Sequence, residues 1–202
     1  MCKIGNADGK SVEKTEKRGE SMKTDARVRY TRRVIKESLL RLLEDRPVNR
    51  ITVKEVCEAA QINRATFYAH FTDCFDVLNQ MENDLLADFE RSLSFASVVD
   101  VVDMIERIYA MIDQNAEVCR VLIFQNKDSS LTAKMIAMAH DKTIVCWKEQ
   151  LTRATESDRE MLFTCLSNGL LNVILTGYSK YEREEVVKFV SETVRLLITP
   201  YL

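Results

Sequence analysis

A chain of 202 residues, 46% hydrophobic and 30% charged, is long enough to bury a sizeable core and too apolar for global disorder. No apolar run nears the ~20 residues that a membrane helix needs, and no signal-peptide pattern opens the chain, so the expectation is a cytoplasmic protein with no membrane partner. The formal net charge of −2 conceals a division: residues 1–72 carry 16 Lys and Arg against 10 Asp and Glu, net +6, and residues 73–202 carry 13 against 21, net −8. A basic first third on an acidic remainder points to contact between that third and a polyanion; a solvated surface with segregated charges is the plainer alternative.

Six cysteines (Cys2, Cys57, Cys74, Cys119, Cys146 and Cys165) lie far apart, with no CxxC pair and only two histidines beside them. That usage fits small core fillers in a reducing compartment, with neither a disulfide scaffold nor a metal site. Gly5, Gly9 and Gly19 fall early, and after them come only Pro47, Gly169, Gly177 and Pro200. A β-rich domain needs more turn punctuation and a phosphate-cradling loop needs more glycine, so the fold class is all-α and no cofactor is expected.

Residues 1–24, rich in Lys, Glu, Ser and Gly without apolar periodicity, read as a flexible arm. A first helix starts near Thr24 or Asp25 and stops before Pro47, with Ile35, Leu39 and Leu42 on its apolar face. Arg29, Arg32, Arg33 and Lys36, at i, i+3, i+4 and i+7, form a basic stripe beside that face. Thr52-Val53-Lys54-Glu55 is a capping box opening a short helix that buries Val53, Val56, Cys57 and Ala60. Gln61-Ile62 interrupts it, and Asn63 caps a third helix over Arg64–His70 with Phe67 and Phe71 turned inward.

Thr72 or Asp73 caps a fourth helix presenting Leu78, Met81, Leu85 and Phe89. Val101, Ile105, Ile108 and Ile112 mark a fifth, and Asn115 caps a brief sixth holding Val118, Val121 and Leu122. Ser129 or Ser130 opens a seventh with Leu131, Met135, Met138, Ile144, Trp147 and Leu151. A second capping box, Ser157-Asp158-Arg159-Glu160, opens an eighth that ends at Gly177, and a ninth carries Val187, Val190, Val194 and Leu197 up to Pro200. About nine helices result, without internal repeats or sustained heptads.

The stretch Ile51–Phe71, ITVKEVCEAAQINRATFYAHF, encodes a capped short helix, a tight break and a second capped short helix. The outward side of the second offers Arg64, Ala65, Thr66, Tyr68 and His70. Such residues suit a recognition helix in the major groove: Arg binds guanine bidentately, Thr bonds several base edges, and the Ala methyl meets thymine. Tyr68 and His70 sit where they reach phosphate oxygens, Arg29 belongs to the basic flank, and the Thr52 N–H at a helix start is a further phosphate donor.

With its flanking helices, this stretch resembles the DNA-binding domain of the TetR family of bacterial transcriptional regulators. The resemblance rests on the Thr opening the second helix, the Ala-Gln-Ile-Asn turn, the Thr-Phe-Tyr-x-His-Phe ending and the run DCFDVLNQMENDLL. Two positions depart: Gln61 stands where the family usually has glycine, and Cys74 where it often has a phosphate-binding lysine. Arg27, Arg29 and Arg32 are the nearby cations that compensate. The segments WKEQL, SNGLLNVILTGY and EREEVVKFV resemble the C-terminal domain of a subgroup common in Firmicutes.

The resemblance implies a helix-turn-helix domain of three helices over residues 25–73 and a helical bundle over 74–202. It also implies a homodimer on a palindromic operator in double-stranded DNA, released by a small-molecule effector as a repressor would be. Leu78, Met81, Met104, Ile108, Met111, Phe124, Met135, Met138 and Trp147 are the candidate effector pocket, against the reading of methionine as ordinary core filler. His140 reads as a satisfied surface histidine or a polar anchor. Leu162, Leu166, Gly169, Leu170, Val173, Val190 and Val194 are the candidate dimer interface, against an intramolecular contact. Two alternatives stand beside the repressor: a coregulator whose C-terminal domain binds a partner protein, and an effector-free chromosome-associated binder. No catalytic residue is expected, since neither histidine has a partner motif and no paired-carboxylate or P-loop spacing occurs.

Overall fold

Good helix formers fill residues 10–24, with Lys, Glu, Arg and Met and no proline, and helix α1 there runs unbroken over Gly9–Leu43. It therefore begins upstream of Thr24 and Asp25. The computed structural model describes residues 9–93, 101–125 and 130–202, with side chains from residue 25 onward within those spans. The expected flexible arm thus lies outside the described residues at positions 1–8, and its remaining backbone continues α1. Ile35, Ser38, Leu39 and Leu40 are buried and Leu42 half-buried. Among the described residues there are nine α-helices and no strand, so the fold is all-α.

Two compact units divide the chain, Met1–Asn79 and Gln80–Leu202, and the division falls inside a helix rather than at its expected start. In the first, α1 packs on α2 (Val53–Ala60) and α2 on α3 (Arg64–Tyr68), with a 3-10 turn at Val48–Arg50 between α1 and α2. Ile51, Val56, Cys57, Ala60, Phe67 and Phe71 are buried in this unit. Helix α4 (Cys74–Ser92) crosses the division. Asp73 Oδ1 accepts from the Asp76 N–H at 2.8 Å, and Asp76 Oδ2 accepts from the Thr72 N–H at 2.9 Å, a reciprocal cap that starts it.

The second unit continues with α5 (Val101–Gln114), α6 (Ala116–Cys119), α7 (Ser130–Gln150), α8 (Glu156–Gly177) and α9 (Arg183–Ile198), closed by a 3-10 turn over Thr199–Tyr201. Helix α8 packs against both α7 and α9, and α9 also packs on α5. After α6 the chain widens into a π turn, Arg120–Phe124. Asn115 precedes α6 but its side chain does not cap it; Nδ2 donates instead to Asp88 Oδ2 and the Met111 carbonyl, each at 3.0 Å. Ser130 is the first residue of α7, and Ser129 lies outside the described residues.

The capping box of α8 is also displaced from its expected place. Thr155, extended at φ −70° and ψ 169°, is the cap, and Asp158 returns its carboxylate to the Thr155 N–H at 2.9 Å. Ser157 falls within the first turn. At the other end Gly177 has no room for a side chain: a Cβ there would stand 2.9 Å from Val186 Cγ2. Arg183 then clamps α9 to α5, meeting Glu106 Oε2 at 2.8 Å and Asp113 Oδ2 at 3.2 Å. Tyr178 donates to Asp113 Oδ1 at 2.7 Å, and its ring stacks on Tyr109 and Phe124.

Candidate nucleic-acid interface and effector cavity

The turn between α2 and α3 is built from four local bonds. Gln61 adopts φ 53° and ψ 42°, the left-handed region, and among the described residues no other non-glycine has positive φ. Its N–H bonds the Glu58 carbonyl at 3.2 Å and the Ile62 N–H bonds the Cys57 carbonyl at 3.0 Å, the two bonds of a Schellman motif. That position favours glycine, and here glutamine bears the strain. Asn63 Oδ1 then accepts from the Thr66 N–H at 2.7 Å and starts α3. The fourth bond, Ala69 N–H to the Ala65 carbonyl at 3.0 Å, closes α3 after a single turn and a half, shorter than the expected Arg64–His70.

Phe67, wholly buried, anchors α3, with the Phe71 ring 6.0 Å away and the Tyr68 ring edge-on at 5.6 Å. Arg64, Ala65 and Tyr68 are exposed and Thr66 half-exposed on α3, and His70, half-exposed, follows in the turn just beyond it. Beside them on α1, Arg29 pairs with Asp25 at 3.0 Å and Arg33 with Glu37 at 3.6 Å. These are exposed pairs, of which a typical one is worth only about 0.2–1 kcal/mol and yields readily to phosphate. The Arg32 guanidinium lies over the Phe71 ring at 5.1 Å, fixing one cation of the stripe near α3.

Thr52 plays a different part from the one expected. Its N–H is taken by Glu55 Oε2 at 2.8 Å, and its hydroxyl donates to the same oxygen at 2.7 Å. The hydroxyl oxygen also accepts from the Glu55 N–H at 3.3 Å. These Thr52 bonds, with Arg46 donating to Glu55 Oε1 at 2.7 Å, hold the Glu55 carboxyl down at about 2. A phosphate facing Thr52 meets a carboxylate already in possession of that N–H. Cys74 is buried, and burial raises its thiol, so it supplies neither a phosphate contact nor a nucleophile. Burial likewise pushes the Cys119 thiol up to about 12. Cys57, Cys74 and Cys119 are core fillers as expected, Cys146 is half-buried, Cys165 is exposed, and Cys2 lies outside the described residues.

In the second unit an apolar cavity of about 140 Å³ opens among α4, α5, α7, α8 and α9. Met104, Ile108, Met135 and Trp147 line it as expected. Phe124 lines a larger neighbouring recess with Tyr178 and Asn172, and Met111 borders a shallow one beside Asp88 and Arg107. Met81 is buried core and Met138 half-buried, neither of them lining the cavity, while Leu78 falls in the first unit. Sequence reasoning missed Phe89, Phe163 and Ser167, and placed Leu166, Leu170 and Val194 at an interface when they line this cavity.

The same correction covers Val190, which is 1% exposed within the chain's own core. Leu162 and Val173 are half-buried, and Gly169 is exposed, with nothing within 4 Å of a Cβ built on it. The outward apolar groups of α8 and α9 include Met161, Phe189 and Leu196, 61%, 55% and 75% exposed, with Leu197 beside them. His140 is satisfied, its Nε2 2.8 Å from Glu160 and its Nδ1 3.3 Å from Asp141. Its ring meets the edge of Phe163, and its pKa is raised by those two carboxylates. Among the described residues no three His, Cys, Asp or Glu gather as a metal site, and no helix is long and apolar enough to cross a membrane.

Two short capped helices in a tight turn, the second with its polar side open, define a helix-turn-helix protein. Residues 35–75, within the helix-turn-helix unit, match the family model of the bacterial regulatory proteins of the tetR family. Over 59 residues, 29% of this chain, it is 34% identical to YxbF of Bacillus subtilis (strain 168), an uncharacterized HTH-type transcriptional regulator; that stretch covers 16% of the relative's length. The fold is similar to that of the dihydroxyacetone kinase operon activator DhaS, with TM-score 0.57 and 14% identity over 85% of this chain and 97% of that one. It is also similar to a TetR transcriptional regulator from Streptococcus agalactiae 2603V, with TM-score 0.58 and 18% identity over 86% and 98%.

Proposed function

We propose that the protein is a cytoplasmic, homodimeric DNA-binding regulator that represses transcription from a palindromic operator until a small-molecule effector releases it. One observation carries this reading: Arg64, Ala65, Thr66 and Tyr68 stand open on α3 and His70 just after it, with the basic stripe of α1 in the same unit. Arg64, Ala65 and Thr66, at the start of α3, read bases, and Tyr68, His70 and Arg29 reach phosphates. The domains are the helix-turn-helix at 25–73 and the effector-binding and dimerising bundle at 74–202.

Dimerisation uses the outward side of α8 and α9, where Gly169 admits a close helix and Met161, Phe189 and Leu196 supply apolar area. Leu162 and Val173 border it. The two-fold sets the recognition helices for half-sites about 34–36 Å apart, or a multiple of that. The cavity of the second unit receives the effector, which favours one arrangement of these helices and so lowers operator affinity. An apolar cavity lined from five helices supports a small molecule over a partner protein as the signal.

Selection of bound duplexes from a random DNA pool at near-physiological salt tests the reading. An enriched inverted repeat is the expected result. Recovery of no preferred sequence, or of a single unpaired half-site by a protein that sediments as a monomer, would overturn it.

A further inference from the structure

Among the described residues, seventeen side chains line the cavity of the second unit, and none of these is charged. Its polar groups are the hydroxyls of Thr143 and Ser167. Ser167 Oγ is shut off from solvent and has no hydrogen-bond partner, not even the carbonyl one turn back that a serine within a helix commonly takes. An unpaired hydroxyl in an apolar wall is destabilising, and alanine would serve the helix better at that point. The cavity volume, about 140 Å³, is close to the ~150 Å³ known to hold one benzene in a protein interior. Trp147 and Phe163 meet edge to face at 6.4 Å between ring centres in its wall, and Phe89 faces it from α4.

Resting on the effector reading above, we infer that this cavity takes one uncharged ligand the size of a single ring, carrying one hydrogen-bonding group that the Ser167 hydroxyl receives. A charged ligand is disfavoured because none of the described lining groups can compensate its desolvation. A drug-sized ligand is excluded by volume, since pockets for such molecules run to several hundred Å³. Specificity follows from the same asymmetry. An apolar ring fills the space and leaves Ser167 unsatisfied, whereas a phenolic or carbonyl-bearing ring of equal volume satisfies it.

Trp147 is the chain's only tryptophan and lies in the wall, so its fluorescence reports occupancy without DNA. The experiment titrates the full chain with phenol, with toluene of matching size and with benzoate, in wild type and in Ser167→Ala. Phenol and toluene both perturb Trp147 in the wild type, and benzoate does not. Ser167→Ala weakens phenol by roughly three- to tenfold, the worth of one hydrogen bond, and leaves toluene unchanged or tighter. The variant folds, because it removes an unpaired hydroxyl and adds a better helix former; its melting temperature stays or rises. Equal phenol affinity in both proteins, or benzoate binding as tight as phenol, overturns the inference while the cavity keeps its role. Absence of any response to phenol and toluene in the wild type overturns the effector reading together with it.

Discussion

Arg46 and Glu55 join the segment after α1 to the start of α2: Arg46 Nη2 holds Glu55 Oε1 at 2.7 Å while Glu55 Oε2 accepts from Thr52 at the cap. One carboxylate thus fixes where α2 begins and how it approaches α1. Its pKa, near 2, is below the ordinary carboxylate value, so its stabilising contribution is fully present above the unfolded value. That contribution drains away as pH falls towards 2. Glu55→Gln is expected to flatten the acid limb of the stability curve, which acid titration followed by circular dichroism measures. An unaltered acid limb would mean the pairing contributes nothing to folding.

Thr52→Ala is expected to cost about 1 kcal/mol, the usual loss for a cap, and to weaken DNA binding only as far as it unfolds the domain. Urea denaturation and operator titration on the same preparation separate the two effects. A large affinity loss at unchanged stability would restore Thr52 as a phosphate contact.

Gln61→Gly is expected to stabilise the chain by up to about 1 kcal/mol, since the left-handed penalty of roughly 1–2 kcal/mol exceeds the entropy that glycine adds. The denaturation midpoint should rise while recognition of the operator is unchanged. A lower midpoint would show that the glutamine side chain earns its place by some contact of its own.

At the groove face, Tyr68→Phe is expected to lower operator affinity with little change in melting temperature, since Tyr68 is 58% exposed. Arg64→Ala should relax preference at one base pair by about 1–3 kcal/mol. Affinities that match wild type in both variants would remove α3 from the recognition surface.

The two glycines of α8 should respond in opposite ways. Gly177→Ala forces a Cβ against Val186 and is expected to destabilise by about 1–3 kcal/mol. Gly169→Ala meets open space within the chain and should raise the stability of the monomer, as alanine favours a helix, while loosening the proposed dimer. Sedimentation equilibrium beside thermal melts distinguishes them; a dimer as tight in Gly169→Ala as in wild type would move the interface elsewhere.

His140 gives a second pH signature. Glu160 and Asp141 raise its pKa, so the pairing stabilises most below the unfolded histidine value and is lost as pH rises through the folded one. His140→Gln should abolish that slope near neutrality, measurable as melting temperature against pH. A slope that survives the substitution would assign it to another group.

Where local chemistry decides, the chain could be read directly. Thr52 with Glu55, Asn63 with Thr66, and Phe67 with Phe71 each lie within four residues of one another, so spacing alone foretold their bonds or packing. Even the strain at Gln61 followed from its place in the turn. The second unit was less legible because α8 is apolar on more than one side and packs on both α7 and α9. Leu166 and Gly169 share a row in sequence, yet one lines the cavity and the other faces outward. Thr155 with Asp158 and Ser157 with Glu160 have the same spacing, and the first pair caps α8 while the Glu160 carboxylate meets His140, 20 residues away. Asn115 was diverted by Asp88, 27 residues away, which no local pattern announces.

Helix α4 places Cys74 and Val77 in one unit and Met81, Leu85 and Phe89 in the other, with no break in its hydrogen-bonded rod. A chimera that joins the first unit to the second unit of another chain therefore has to splice within a helix, not within a loop. One inserted residue there would turn the positions that follow it within α4 by roughly 100° about the axis and carry Met81, Leu85 and Phe89 off their buried side. A junction that keeps the residue count keeps the buried face of α4 in register, so the splice point is set by the pitch of a helix.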